Sequence, residues 1–204
     1  MYRLKCVTSL ICLLILVAPL CAEPPRTKIV ADMEGKTTFG VSGQTDKPKA
    51  SLTTRTASQG KRSLRFEYDG KGRDRATVTF VVDGAEGFNA IAFDLYCERN
   101  NGSSLIVSVR QQTEGKGKAA RYKSVLRLDE FVDGWAPVRL VKDAGMVFKQ
   151  NGGVLPDWSK IRTVSLSLSG VMEGKAAIYL DNIRFEDVAG GGPSSNRCPR
   201  WESA

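Results

Sequence analysis

Lys175–Phe185 reads KAAIYLDNIRF. Ile178 and Leu180 alternate with Tyr179 and Asp181, the period of a strand buried on one face. Asp181 stands in the middle of that strand, where a carboxylate is costly unless it is exposed, paired or bound to a cation. Far upstream, Lys28–Gly35 (KIVADMEG) is another short strand, with Asp32 and Glu34 in it. The expectation is that these first and last strands meet. Their carboxylates would then share a structural calcium ion, Ca2+.

Between these two stretches, short alternating runs follow one another with turn signals between them. Ser51–Thr56 is a polar strand, and Ser63–Tyr68 (SLRFEY) sets Leu64, Phe66 and Tyr68 against Arg65 and Glu67. Ala76–Val82 is rich in β-formers. Asn89–Cys97 (NAIAFDLYC) is the clearest strand, with Ile91, Phe93 and Leu95 on one face and Ala92, Asp94 and Tyr96 on the other. Leu105–Gln111 turns Leu105, Val107 and Val109 inward and Ile106, Ser108 and Arg110 outward. Arg121–Leu128, Ala136–Val141 and Ile161–Ser169 complete the series, and Val147–Ser159 reads as a long loop. No amphipathic helix stands out. The pattern predicts an all-β protein, an antiparallel β-sandwich or jelly roll with one face of each sheet buried.

The N-terminus has its own layout. Met1–Ala22 has a basic start (Arg3, Lys5), an apolar run through Leu10–Val17 and a short end, APLCA. This is the order of a secretory signal peptide, with cleavage expected after Ala22. An uncleaved anchor, or a lipid on Cys21, are the other readings of the same segment. The remaining chain of about 180 residues suits one β-sandwich domain over 23–188, with 189–204 read as a disordered tail. A secreted or periplasmic location follows, with no integral membrane span once the signal is removed.

Loss of Arg3 and Lys5 lowers the formal charge from +8 to +6. Basic and acidic residues are interleaved, and no run of five or six like charges supports a nucleic-acid tail. A mild attraction to anionic polymers remains open. After cleavage only Cys97 and Cys198 are left, and the sequence does not decide whether they pair. The chain has no histidine. That removes Ser–His–Asp and Cys–His catalysis and His-ligated metal sites.

The order of motifs resembles the galactose-binding-like β-sandwich family, which includes many carbohydrate-binding modules and the complex-I intermediate-associated protein type. It rests on ADMEG, then GKRSLRFEY, FNAIAFDLYC, DGWAPVRL, DWSKIRTVSLSLSG and AIYLDNIRF, over roughly Lys28–Val188. The resemblance implies calcium between the terminal strands, held by Glu34 or Asp32, by Asp181, and by carbonyls near Gly60–Ser63. It also implies that Trp135 packs in the sandwich. Sugar recognition needs flat aromatics and planar polar groups. Tyr96, Arg110, Gln112, Tyr122 and Asp94 are the outward candidates for ligand binding. The function expected is a secreted, non-catalytic binding module for a polysaccharide or glycan. A protein-binding scaffold of the same fold is the alternative, and a polysaccharide-active enzyme is less favoured because no spacing singles out a catalytic set.

Overall fold

The computed structural model describes residues 25–43, 48–70, 75–111, 120–142, 147–148, 157–170 and 174–188. The expected signal segment, the tail, Gln112 and Cys198 lie outside the described residues.

Strand after strand, apolar residues at every second position turn to a common interior, and two antiparallel sheets result. The first runs β3 (Lys49–Thr53), β4 (Ser63–Gly70), β12 (Gly174–Asp187), β6 (Ala90–Arg99) and β9 (Ala136–Val141), with β1 (Arg26–Ala31) also on β12. The second runs β10 (Val147–Phe148), β8 (Arg121–Arg127), β7 (Ser104–Gln111), β11 (Ile161–Ser169), β5 (Arg75–Val81) and β2 (Phe39–Gly43). Phe66, Phe93, Leu95, Ile178 and Leu180 fill the core from the first sheet; Val78, Phe80, Val107, Val109 and Leu166 meet them from the second. The only helical turns among the described residues are short 3-10 turns at Leu128–Phe131 and Trp158–Lys160.

The terminal strands meet, as the sequence predicts. β1 pairs antiparallel with β12, from Arg26 opposite Asp187 to Ala31 opposite Ile183. β4 pairs with the other half of β12, from Gly70 opposite Gly174 to Leu64 opposite Leu180. The break between these two partners falls at Asp181–Asn182. Asn182 has a left-handed φ of 50°, and the register against β6 shifts between Asp181 and Arg184. Asn tolerates that conformation better than most residues, and a bulge bends the strand there.

Several boundaries differ from the sequence reading. Asp32 and Glu34 lie in the turn after β1, not within it. β2, a short edge strand (FGVSG), was not expected because two glycines blunt its β-pattern. β10 pairs with β8 inside the stretch read as loop.

Candidate functional site

The junction on β12 is built around carboxylates. Asp181 is 1% exposed. Its Oδ2 accepts from the backbone N–H groups of Ser58 (3.0 Å) and Gln59 (3.2 Å), and its Oδ1 accepts from Asn182 N–H (2.8 Å). Asp94 lies directly across from it on β6. Like charges in that position repel. The Ser58 hydroxyl sits between them, 2.6 Å from Asp94 Oδ2 and 3.1 Å from Asp181 Oδ2. It has one proton to give, and the shorter contact takes it.

Glu34 binds the same loop a few residues on. Its Oε1 accepts from Lys61 N–H and Arg62 N–H, both at 2.7 Å, and the Arg62 guanidinium donates to the Glu34 and Gly35 carbonyls. The backbone donors of Arg62 and Lys61 hold the Glu34 carboxyl below its ordinary value. Asp32 closes its own turn, accepting from Glu34 N–H (3.0 Å) and Gly35 N–H (3.4 Å).

Calcium would need inward-turned oxygens, about six to eight of them. The Ser58–Arg62 loop instead turns N–H groups toward Asp181 and Glu34. Among the described residues no group of three or more His, Cys, Asp or Glu comes together in a way that could hold a metal. The residues present do not fit the ion in this arrangement.

Beside the junction, the outer face of the first sheet carries an aromatic cluster. Tyr96 stacks on Tyr179, with ring centres 5.6 Å apart and planes at 13°. Trp135 leans on both and donates through Nε1 to Thr56 Oγ1 at 3.0 Å. Trp135 is therefore on the outside of the sandwich, not in its core. Glu98 accepts from Arg65 and from the Tyr179 hydroxyl, and it pairs with Arg55. Burial pushes the Glu98 carboxyl up, but the Arg65 and Tyr179 hydrogen bonds and the charges of Arg65 and Arg55 outweigh it and hold the carboxyl low. Nearby, Glu186 is clamped by Arg139 and Arg184.

The outer face of the second sheet is different. Register places Gly40, Thr79, Ser165, Ser108 and Lys123 in one row across the strands, and Ser42, Thr77, Ser167, Ile106 and Val125 in the next. Hydroxyls link along the rows, Thr77 with Ser167 at 2.8 Å and Thr79 with Ser165 at 3.2 Å. Ser108, Ser165 and Ser167 are only 6–8% exposed although they face away from the core. No aromatic side chain stands among the described residues of this face.

The expected ligand residues are thus not brought together. Tyr96 and Asp94 are on the outer face of the first sheet, and Arg110 is on the outer face of the second. Tyr122 was expected outward. It is fully buried, with its ring 5.8 Å from that of Trp158. The reason was legible: Arg121 and Lys123 flank it, and a strand that turns two cations to solvent must turn the residue between them inward. The hydroxyl rows escaped notice because each Ser or Thr is unremarkable in its own strand, and only register aligns them.

No protein-family model matches the chain, and no curated protein matches it. Solved structures do. A family 11 carbohydrate-binding module of the cellulosomal cellulase Lic26A-Cel5E of Clostridium thermocellum superposes with a TM-score of 0.64 at 12% identity, over 78% of this chain and 94% of that one. The Clostridium thermocellum module in complex with a β-1,3-1,4-mixed-linked tetrasaccharide gives 0.65 at 11%, with the same coverage. A structure described under the promiscuous specificity of carbohydrate-binding modules of the β-sandwich superfamily gives 0.61 at 14%, over 78% of this chain and 61% of that one. These likenesses define the class of fold: the two-sheet β-sandwich of carbohydrate-binding modules.

Proposed function

We propose that this chain is a non-catalytic carbohydrate-binding module, exported by its leader, that meets a polysaccharide on the outer face of the second sheet. The observation that carries the reading is the double row of Ser and Thr hydroxyls across β2, β5, β11 and β7. Each hydroxyl both donates and accepts, which matches the mixed donor and acceptor surface of a sugar chain. The sandwich likeness to modules solved with oligosaccharide supports it.

A catalytic role has less to stand on. Among the described residues the one pair of facing carboxylates, Asp94 and Asp181, is buried and occupied by Ser58 and Gln59 rather than open to a glycosidic bond. A protein-docking role has less as well. The exposed large apolar side chains among the described residues, Ile29, Val41, Val81 and Val132, lie on four separate segments. Among the described residues no helix is long and apolar enough to cross a membrane.

A second reading is favoured by the half-buried Tyr96 and Trp135, which offer an aromatic platform on the first sheet. Affinity electrophoresis through gels containing individual polysaccharides separates the two. Retardation is expected with at least one polymer. It should be lost in Ser165→Leu, which fills the middle of the hydroxyl row, and kept in Trp135→Ala. Loss in Trp135→Ala alone moves the ligand to the first sheet, and no retardation by any polymer contradicts the module reading.

A further inference from the structure

The strands of the second sheet contain six cationic residues, Arg75, Arg110, Arg121, Lys123, Arg127 and Arg162, and no Asp or Glu. The first sheet mixes both signs on single strands, as in Arg65 and Glu67 of β4 or Arg184 and Glu186 of β12. The asymmetry is sharpest at one end of the hydroxyl rows. Arg110 of β7 and Arg121 of β8 are directly opposite one another and lie on the same outer face. Thr163 continues that row on β11.

Two like charges facing across adjacent strands destabilise a sheet unless something of opposite sign sits between them. Here no carboxylate does so among the described residues. Arg127 is held by Asp129, and Arg162 donates to the Ser159 and Ile161 carbonyls, but among the described residues Arg110 and Arg121 make no ion pair. Arg121 Nε is moreover a buried donor without a hydrogen-bond partner. A buried, unsatisfied guanidinium nitrogen on a residue directly across from a second arginine is a costly arrangement that an anion would relieve.

We propose that the ligand of this face is an acidic polysaccharide, a polyuronate, whose sugar carboxylate is taken between Arg110 and Arg121 while its hydroxyls lie along the Ser and Thr rows. This rests on the module reading above and names its substrate class. Without aromatics the face cannot stack on the apolar side of a neutral sugar. Ordinary hydrogen bonds to sugar hydroxyls replace bonds to water and leave little net affinity. Charge-assisted, two-pronged contacts from arginine to carboxylate supply what is missing. The same lack of aromatics disfavours single-stranded nucleic acid, which such faces hold by base stacking.

The test uses the mature chain in binding titrations at physiological salt. The probes are a polyuronate, the same polymer with its carboxyls reduced to alcohols, and polyphosphate. Binding to the polyuronate should be tighter than to either control. Arg110→Gln with Arg121→Gln should weaken it at least about tenfold, because charge-assisted hydrogen bonds are lost. The double variant should melt no lower than the parent, since it removes a repulsion.

Equal binding to polyphosphate, unaffected by the double variant, would reduce the effect to diffuse charge and overturn the site. Equal binding to the reduced polymer overturns the anion site and leaves a neutral-sugar module. Failure of both polysaccharides and of every neutral glycan overturns the module reading with it.

Discussion

At Gly60 the backbone runs with φ of 64°, and a Cβ added there would lie 2.5 Å from Glu34 Oε1. A side chain is excluded twice, by the left-handed conformation and by the carboxylate that accepts from the next two amides. Gly60→Ala should therefore destabilise the chain by about 1–3 kcal/mol, read from denaturant unfolding. Glu34 itself makes the acid limb of stability. Folding holds its carboxyl below the ordinary 4.5. Its contribution is thus present above that pH and disappears as pH falls through the lowered folded value. Glu98, also held low, acts in the same direction. The melting temperature should drop below about pH 4.5, and Glu34→Gln should flatten that drop; an unchanged acid limb in the variant would contradict the clamp. At this scale the sequence announced that Asp181 and Glu34 needed partners, because carboxylates at a strand centre and beside a glycine turn are conspicuous. It did not announce what the partners are. Amide N–H groups carry no residue identity, so the Ser58–Arg62 loop left no mark that could tell it from a cation. Trp135 was misplaced for a related reason: only its contacts with Tyr96 and Tyr179 reveal which side of the sheet it occupies.

Among the elements, β12 is the hub. It pairs with β1, β4 and β6, and its break at Asp181–Asn182 is where the loop before β4 enters. The resemblance assigned the closure of this junction to calcium; in the structure the loop amides close it. If the loop amides alone close the junction, the melting temperature should be the same in excess calcium and in chelator, because calcium would then have no preference for the folded state. Asp181→Ala should lower it in both conditions by leaving the Ser58, Gln59 and Asn182 amides without their acceptor. A calcium-dependent rise that vanishes in Asp181→Ala would restore the ion. The long alternating strands were legible, since period two in β6, β7 and β12 fixes inside and outside at once. β2 was not, because an edge strand with one partner has little buried surface to enforce a pattern. Cys97 follows the alternation to the core. Burial raises its thiol to about 11, which leaves it protonated and unreactive at neutral pH.

Taken whole, the molecule has two unlike exteriors on one apolar interior. The outer face of the first sheet spends its charges on internal pairs: Arg65 and Arg55 with Glu98, and Arg139 and Arg184 with Glu186. The outer face of the second keeps hydroxyl rows and, at Arg110 and Arg121, arginines with no ion pair among the described residues. Composition alone reported the net charge of +8 but could not report that the described strands of one sheet hold no Asp or Glu, because strand order in the sandwich does not follow the order of the chain. The central claim, that ligand lies on the second sheet, is tested most directly by titrating a uronate oligosaccharide into the isotope-labelled chain and mapping the amide shifts. The account predicts the largest changes at Thr77, Thr79, Ser108, Arg110, Arg121, Ser165 and Ser167, with Tyr96 and Thr56 unmoved. Shifts centred on Tyr96, Trp135 and Thr56, with the hydroxyl rows silent, would contradict it.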